Sequence, residues 1–315
     1  MDERLELSQA RPLSVSDLRG TDRRRRKEAT IRALFFASAA ISIVISGLIV
    51  ASLVGHAINF LSKISVSWLW AEGWFPRRNE FSIPTVFVGS IIVGGIAMLV
   101  AAPLGLGSAI YLSEYASPRA RRLLKPTVEL LAGVPSVVVA FFCLAVISPD
   151  VVQKLLSSAS FFNLLTAGIG VGILTIPLVA TIAEDATHAV PASLREASYG
   201  IGARRRSTSI RVVVPAAVSG IVAALIVGLS RAIGETVVVL VVAGGTGGSA
   251  FTLNPLGPGQ TVTGAMAALA TGTDQVKGAG PAFESLFFLG ILLFLVTFAL
   301  NVVSERFVRR VRRQY

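Results

Sequence analysis

Six apolar runs set the terms on which this 315-residue chain can fold; they lie at about residues 32–60, 84–113, 127–148, 161–186, 214–242 and 282–304. Each reaches the roughly 20 residues that a helix needs to cross a ~30 Å hydrocarbon core. Only 15% of the residues are charged and 53% are hydrophobic, against about 25% charged in a soluble domain. The expected architecture is therefore all-α, a polytopic membrane protein with six transmembrane helices.

The net charge of +11 could suggest a nucleic-acid partner. Its distribution argues against one, because Lys and Arg collect at the ends of the apolar runs. With the N-terminus inside, the inner segments hold 23 of these residues and the outer loops 5, Arg231 being left within a span. Cytoplasmic loops carry such an excess, so both termini are expected in the cytoplasm, with the chain multi-pass in the cytoplasmic (inner) membrane and membrane lipid as its solvent. The tail 1–30 contains "RRRRK" at Arg23–Lys27. The apolar run behind it is much longer than the 7–15 residues of a signal-peptide core, so an uncleaved basic tail is expected. The chain then divides into a first span with its outer loop (31–83), a permeation core (84–305) and a second basic tail (306–315).

Cys143 is the sole cysteine and lies in an apolar run, where a small buried hydrophobe is expected. The two histidines, His56 and His188, are far apart, and neither HExxH nor CxxC occurs, so there is no metal-site signal. The first outer loop holds "SWLWAEGWF"; Trp68, Trp70 and Trp74 are expected as anchors at the headgroup level. Pro84, Pro103, Pro135 and Pro177 fall in or beside spans and predict kinks or breaks. The outer loop 243–280, rich in Gly, Thr and Pro, is expected to be irregular.

The longest inner loop reads "PASLREASYGIGARRRSTSIRVVVP" from Pro191 to Pro215. A short polar helix, a glycine turn and a second helix would make a projection for a partner protein to grip. Within it Glu196-Ala197-Ser198, then Gly202, then the "VVVP" ending at Pro215 resemble the EAA–G coupling loop of type I ABC importer permeases. Ser198 stands where that motif has its second alanine. "YLSEYAS" (111–117), "ELLAGVPSVV" (129–138) and "SRAIGET" (230–236) further resemble the permease subunits of the phosphate-specific (Pst) importer. "RAIGETVVVL" is closer to the PstC than to the PstA type. The resemblance implies four kinds of partner: a second, PstA-like permease, a dimeric PstB-like ATPase, an external PstS-like phosphate-binding protein and the lipid bilayer. It also implies that the loop 191–213 docks on the ATPase. No GxxxxGK[ST] phosphate loop is present, and "GGTGGS" (244–249) lacks the lysine. ATP would be bound and hydrolysed by another chain, so this one is expected to be non-catalytic and to hold no cofactor.

Two charges inside the fifth run, Arg231 and Glu235, are spaced i, i+4 and on a continuous helix would share a face. A packing pair and a transport pathway both account for them. Ionisable groups in a bilayer usually line a pathway, and a guanidinium fork matches oxyanion oxygens bidentately. The resemblance implies the pathway. By contrast, Glu114 and Glu129 flank a basic inner loop that can neutralise them, and Glu184-Asp185 ends a span like a solvated helix terminus. The expected function is an ATP-driven permease for inorganic phosphate. Molybdate or sulfate is the nearest alternative cargo; a self-sufficient channel, a secondary transporter or a scaffold has no use for a coupling loop.

Overall fold

The computed structural model describes residues 22–245, 247–272 and 280–312. The tail up to residue 21 and Lys277, both used in the charge count, lie outside the described residues. The chain divides into two units, residues 1–52 and 53–315. Helix α1 (Asp22–Lys63) begins in the first. There its large apolar side chains, Phe35, Phe36 and Ile43 among them, are exposed, as suits a helix surrounded by lipid tails.

The second unit carries α2 (Ile83–Tyr115), α4 (Ser136–Leu155) and α5 (Leu164–His188), each long and apolar enough to span. Between α2 and α4 lies α3 (Pro118–Ala132), which is amphipathic and has no buried residue. The projection expected on the inner side is α6 (Ala192–Gly200) followed by α7 (Arg205–Ala216), and α7 meets α8 (Val218–Gly234) at a 71° bend. Short helices α9 (Val237–Val242) and α10 (Val262–Thr271) precede the last span within α11 (Pro281–Arg312). Counting the bent pair as one, the described residues hold six helical segments long and apolar enough to span, as many as the apolar runs predict.

Helices α2 and α5 pack along a glycine seam. A Cβ on Gly168 would lie 2.6 Å from Cβ of Ile96, and one on Gly172 would lie 2.8 Å from Cβ of Val100 and 3.0 Å from the Ala97 carbonyl. From the other side, a Cβ on Gly105 would meet Val179 at 2.8 Å. Without a hydrophobic driving force between helices in lipid, small residues four apart allow the backbone approach that dispersion needs. The central core closes over this seam with Val93, Ala97, Val139, Cys143, Val171 and Val238; Cys143 is fully buried there.

Four expectations are corrected. The predicted third span, 127–148, straddles two helices: α3 stops at Ala132 and α4 starts at Ser136. Pro135 has no N–H and disfavours helical backbone at Val134, which hydropathy cannot register. The predicted fifth span, 214–242, is bent at Ala217 and broken again after Gly234. The outer loop is not wholly irregular, since α10 folds within it and buries Val262, Ala265, Ala268 and Leu269. Trp74 is no headgroup anchor either. It lies on β1 (Gly73–Phe75), between β2 (Glu80–Phe81) and β3 (Ser249–Ala250), in an antiparallel sheet ordered β2-β1-β3. Trp74 is fully buried, edge-on to Phe81 with ring centroids 5.7 Å apart, and Phe60 and Phe288 complete the cluster. Only Trp68 and Trp70 are exposed.

Candidate functional site: a charged cavity and an inner projection

Arg231 and Glu235 do not share a helix. Arg231 is in the last turn of α8, whereas Glu235 is already extended (φ −67°, ψ 131°). Glycine at 234 is the poorest helix former after proline, and the valines after Thr236 add little propensity. The Glu235 carboxylate turns to the next helix, where Oε1 accepts the Val237 N–H at 3.2 Å. Its carbonyl accepts the Thr263 hydroxyl, in the first turn of α10, at 2.7 Å. Glu235 therefore caps α9 instead of pairing along a helix face. Among the described residues, no ion pair or side-chain hydrogen bond engages the exposed Arg231 guanidinium.

Both residues nevertheless line one cavity of about 480 Å³. Its walls come from the α8–α9 break (Arg231, Glu235), from α5 around Pro177 (with Thr181) and from the α3–α4 break (Glu129, Ser136). Two interrupted helices thus open on the same space, the arrangement that gives membrane transporters polar groups at depth. Glu129, expected to be neutralised by its basic neighbours, is exposed on this wall and has no ion pair among the described residues. Its sequence signal is the Gly-x-Pro break that follows it in "ELLAGVPS". One guanidinium, two carboxylates and two hydroxyls suit a small oxyanion, particularly one that still carries a proton to donate.

The projection is a separate site. At its turn, Gly202 has φ +81°, and its N–H donates to the Tyr199 carbonyl at 2.9 Å. A Cβ there would meet nothing within 4 Å. The glycine is thus needed for a left-handed backbone, worth about 1–2 kcal/mol, and not because a side chain would be blocked. Glu196 and Ala197 face outward, with Leu194, Tyr199 and Ile201 exposed beside them. Ser198 points inward, and its hydroxyl meets that of Thr208 at 2.9 Å in a buried bridge between α6 and α7. Serine in place of alanine therefore has a structural reason. Pro215 lies in the last turn of α7, just before the 71° bend.

Buried ion pairs anchor this inner end. Arg195 on α6 binds Glu114, whose side chain is 4% exposed, with Nη2 at 2.8 Å and Nε at 3.2 Å from Oε1. Glu114 lies in the last turn of α2, which is widened so that the Ala116 N–H reaches the Tyr111 carbonyl; such wide turns recur at functional positions. Glu184 is not a solvated helix end. It is 1% exposed and takes Arg121 at 2.6 Å and Lys125 at 3.1 Å, both from α3. Asp185 alone is solvated. The hydrogen bond to Glu184, and then its charge, hold the Lys125 ammonium above its usual pKa. Removing one partner of a buried pair typically costs 3–5 kcal/mol. These partners are 59 to 81 residues apart in sequence, beyond any local pattern.

Residues 101–313 match the family described as binding-protein-dependent transport system inner membrane component. The chain belongs to that family. The matched region of this inner membrane component includes the cavity residues Glu129, Arg231 and Glu235 and the whole projection. A curated relative, the phosphate transport system permease protein PstC of Mesorhizobium japonicum, is 31% identical over 90% of each chain. The phosphate transport system permease protein PstA 1 of Mycobacterium tuberculosis is 32% identical over 71% of each. The fold is shared with a bacterial alginate ABC transporter crystallised with its periplasmic protein, at TM-score 0.63 and 16% identity, covering 90% of this chain and 97% of that one.

Proposed function

We propose that this inner membrane component is the PstC-type permease of an ATP-driven importer and passes inorganic phosphate through the cavity at Arg231. The observation that carries the reading is the meeting of two broken helices at one cavity, whose walls hold two carboxylates and a guanidinium with no ion pair among the described residues. A guanidinium binds oxyanion oxygens as a fork. Carboxylates are acceptors only, so Glu129 and Glu235 favour an oxyanion that keeps a proton at neutral pH, as phosphate does, over sulfate or molybdate. The relative of PstC type is matched over more of this chain than that of PstA type.

In this reading the exposed face of α6, with Glu196 and Ala197, meets an ATPase supplied by another chain. Gly202 shapes the turn, Ser198 ties α6 to α7, and Pro215 sits where α7 bends into the span that follows. A second permease completes the pathway, and an external binding protein delivers phosphate to it. Both termini lie in the cytoplasm, residues 84–305 form the permeation core, and the basic tails flank it. ATP binding draws the ATPase subunits together, and the projection carries that movement to the cavity.

The test is ATP-dependent uptake of radiolabelled phosphate into proteoliposomes that hold this chain with its copurifying subunits. Uptake that needs ATP and the binding protein, and that excess sulfate leaves unchanged, is the expected result. Uptake without ATP, or carried equally well by sulfate, would refute it.

A further inference from the structure

The outward-facing residues of α6 account for what the projection offers a partner, but they do not explain Arg195. Its side chain is only 20% exposed, and its guanidinium is spent inside the chain. Besides Glu114 on α2, it reaches two backbone carbonyls at the end of α5: Nη2 donates to Thr187 at 2.8 Å and Nη1 to Val190 at 2.5 Å. The last carbonyls of a helix have no partners within it, and a cation there also meets the negative end of the helix dipole. One rigid, planar group therefore joins three elements.

The same end of α5 continues into the cavity wall. Thr181, on that wall, precedes Thr187 by six residues, about 9 Å along a helix. Glu184, between them, binds Arg121 and Lys125 of α3, and Glu129 further along α3 lines the same cavity. A displacement of α6 thus has an unbroken path of hydrogen-bonded and helical parts to both walls.

We propose that Arg195 is a positioning residue: through Glu114 and the Thr187 and Val190 carbonyls it converts movement of the projection into movement of α2 and α5. Arg195 does not contribute to the surface that meets the ATPase. This inference rests on the reading of 191–213 as the ATPase-coupling element.

The test measures ATP hydrolysis and phosphate uptake together in proteoliposomes containing the assembled transporter. In Glu114→Gln and in Arg195→Gln, the subunits should still copurify, and the ATP consumed per phosphate should rise roughly five-fold or more. A second variant, Glu114→Cys with Arg195→Cys, replaces the clamp with a covalent one when treated with a short bismaleimide. The sole native cysteine, Cys143, is buried out of reach. Cross-linking should return the ratio to near the wild-type value, and the untreated double variant should stay uncoupled. A wild-type ratio in the single variants would overturn the proposal. So would a cross-linked protein as uncoupled as the untreated one, or loss of subunits that cross-linking does not reverse. Failure of the wild-type complex to take up phosphate with ATP refutes the functional reading itself. Uncoupling by Glu196→Lys alongside normal Arg195 variants refutes only this inference.

Discussion

Replacing Arg231 with glutamine separates a transport role from a packing role, because the structure gives the two roles different costs. Arg231 is exposed on the cavity, and no ion pair or side-chain hydrogen bond engages it among the described residues. Its removal strands no buried carboxylate, so the folded complex should lose no more than about 0.5 kcal/mol, as for other surface positions. Recognition of an anion loses much more. A hydrogen bond to a charged group is worth about 1.5–3 kcal/mol, which corresponds to roughly a 10- to 150-fold fall in uptake at subsaturating phosphate. Arg231→Lys keeps the charge but not the fork, and should fall between the glutamine variant and wild type. Initial rates of phosphate uptake and the thermal midpoint of the purified complex, measured on the same preparations, check both halves. A clear drop in midpoint for Arg231→Gln, with uptake reduced only in proportion to the folded fraction, would show a packing residue and refute the reasoning.

Glu235→Gln keeps an oxygen for the Val237 N–H, whereas Glu235→Ala removes the cap and should cost about 1 kcal/mol more; thermal midpoints of the two variants should differ in that order. Gly172→Leu forces a side chain into the 2.8 Å approach to Val100 and should destabilise by about 1–3 kcal/mol, lowering the yield of folded complex on size exclusion, while Gly107→Leu, where a Cβ meets nothing within 4 Å, should behave as wild type. The charge bias predicts an inside N-terminus, so a cysteine at position 5 should resist membrane-impermeant maleimide in intact cells and react after permeabilisation; labelling in intact cells would reverse the proposed topology. Stability contributed by the raised pKa of Lys125 should be undiminished across neutral pH and should be lost only as pH rises through its folded value, above 10.5; a thermal midpoint that falls between pH 6 and 9 in wild type but not in Lys125→Met contradicts this.

Hydropathy made the spans legible because burial in lipid is a property of composition. It could not place the breaks. Val134-Pro135 and Gly234-Glu235 interrupt runs that remain apolar on either side, and the interruption lies in backbone angles that hydropathy ignores. Arg231 stood out as a charge among apolar neighbours, but Glu129 did not, because arginines and a lysine precede it within ten residues. Spacing then misled in a definite way: an i, i+4 pair means a shared face only on an unbroken helix. The motif residues Glu196, Ala197 and Gly202 were visible as a local pattern. Arg195 beside them was not, since its partner Glu114 is 81 residues away. Trp74 shows the same limit: its cluster includes Phe288 and its strand pairs with β3, neither of which any local signal around "SWLWAEGWF" announces.

That strand has a consequence for the order in which the protein is made. Trp74 pairs with Phe81 seven residues later, but its other neighbour, Ser249, follows it by about 175 residues. At a synthesis rate of about 5–20 residues per second, β1 waits roughly 10 to 35 seconds outside the membrane with one edge unpaired. Phe288, which also covers the Trp74 cluster, arrives later still. A nascent chain stalled before residue 249 should therefore keep Trp74 wet. Quenching of its fluorescence by a water-soluble quencher would time the arrival of the outer sheet during biogenesis, independently of whether the earlier spans have already inserted.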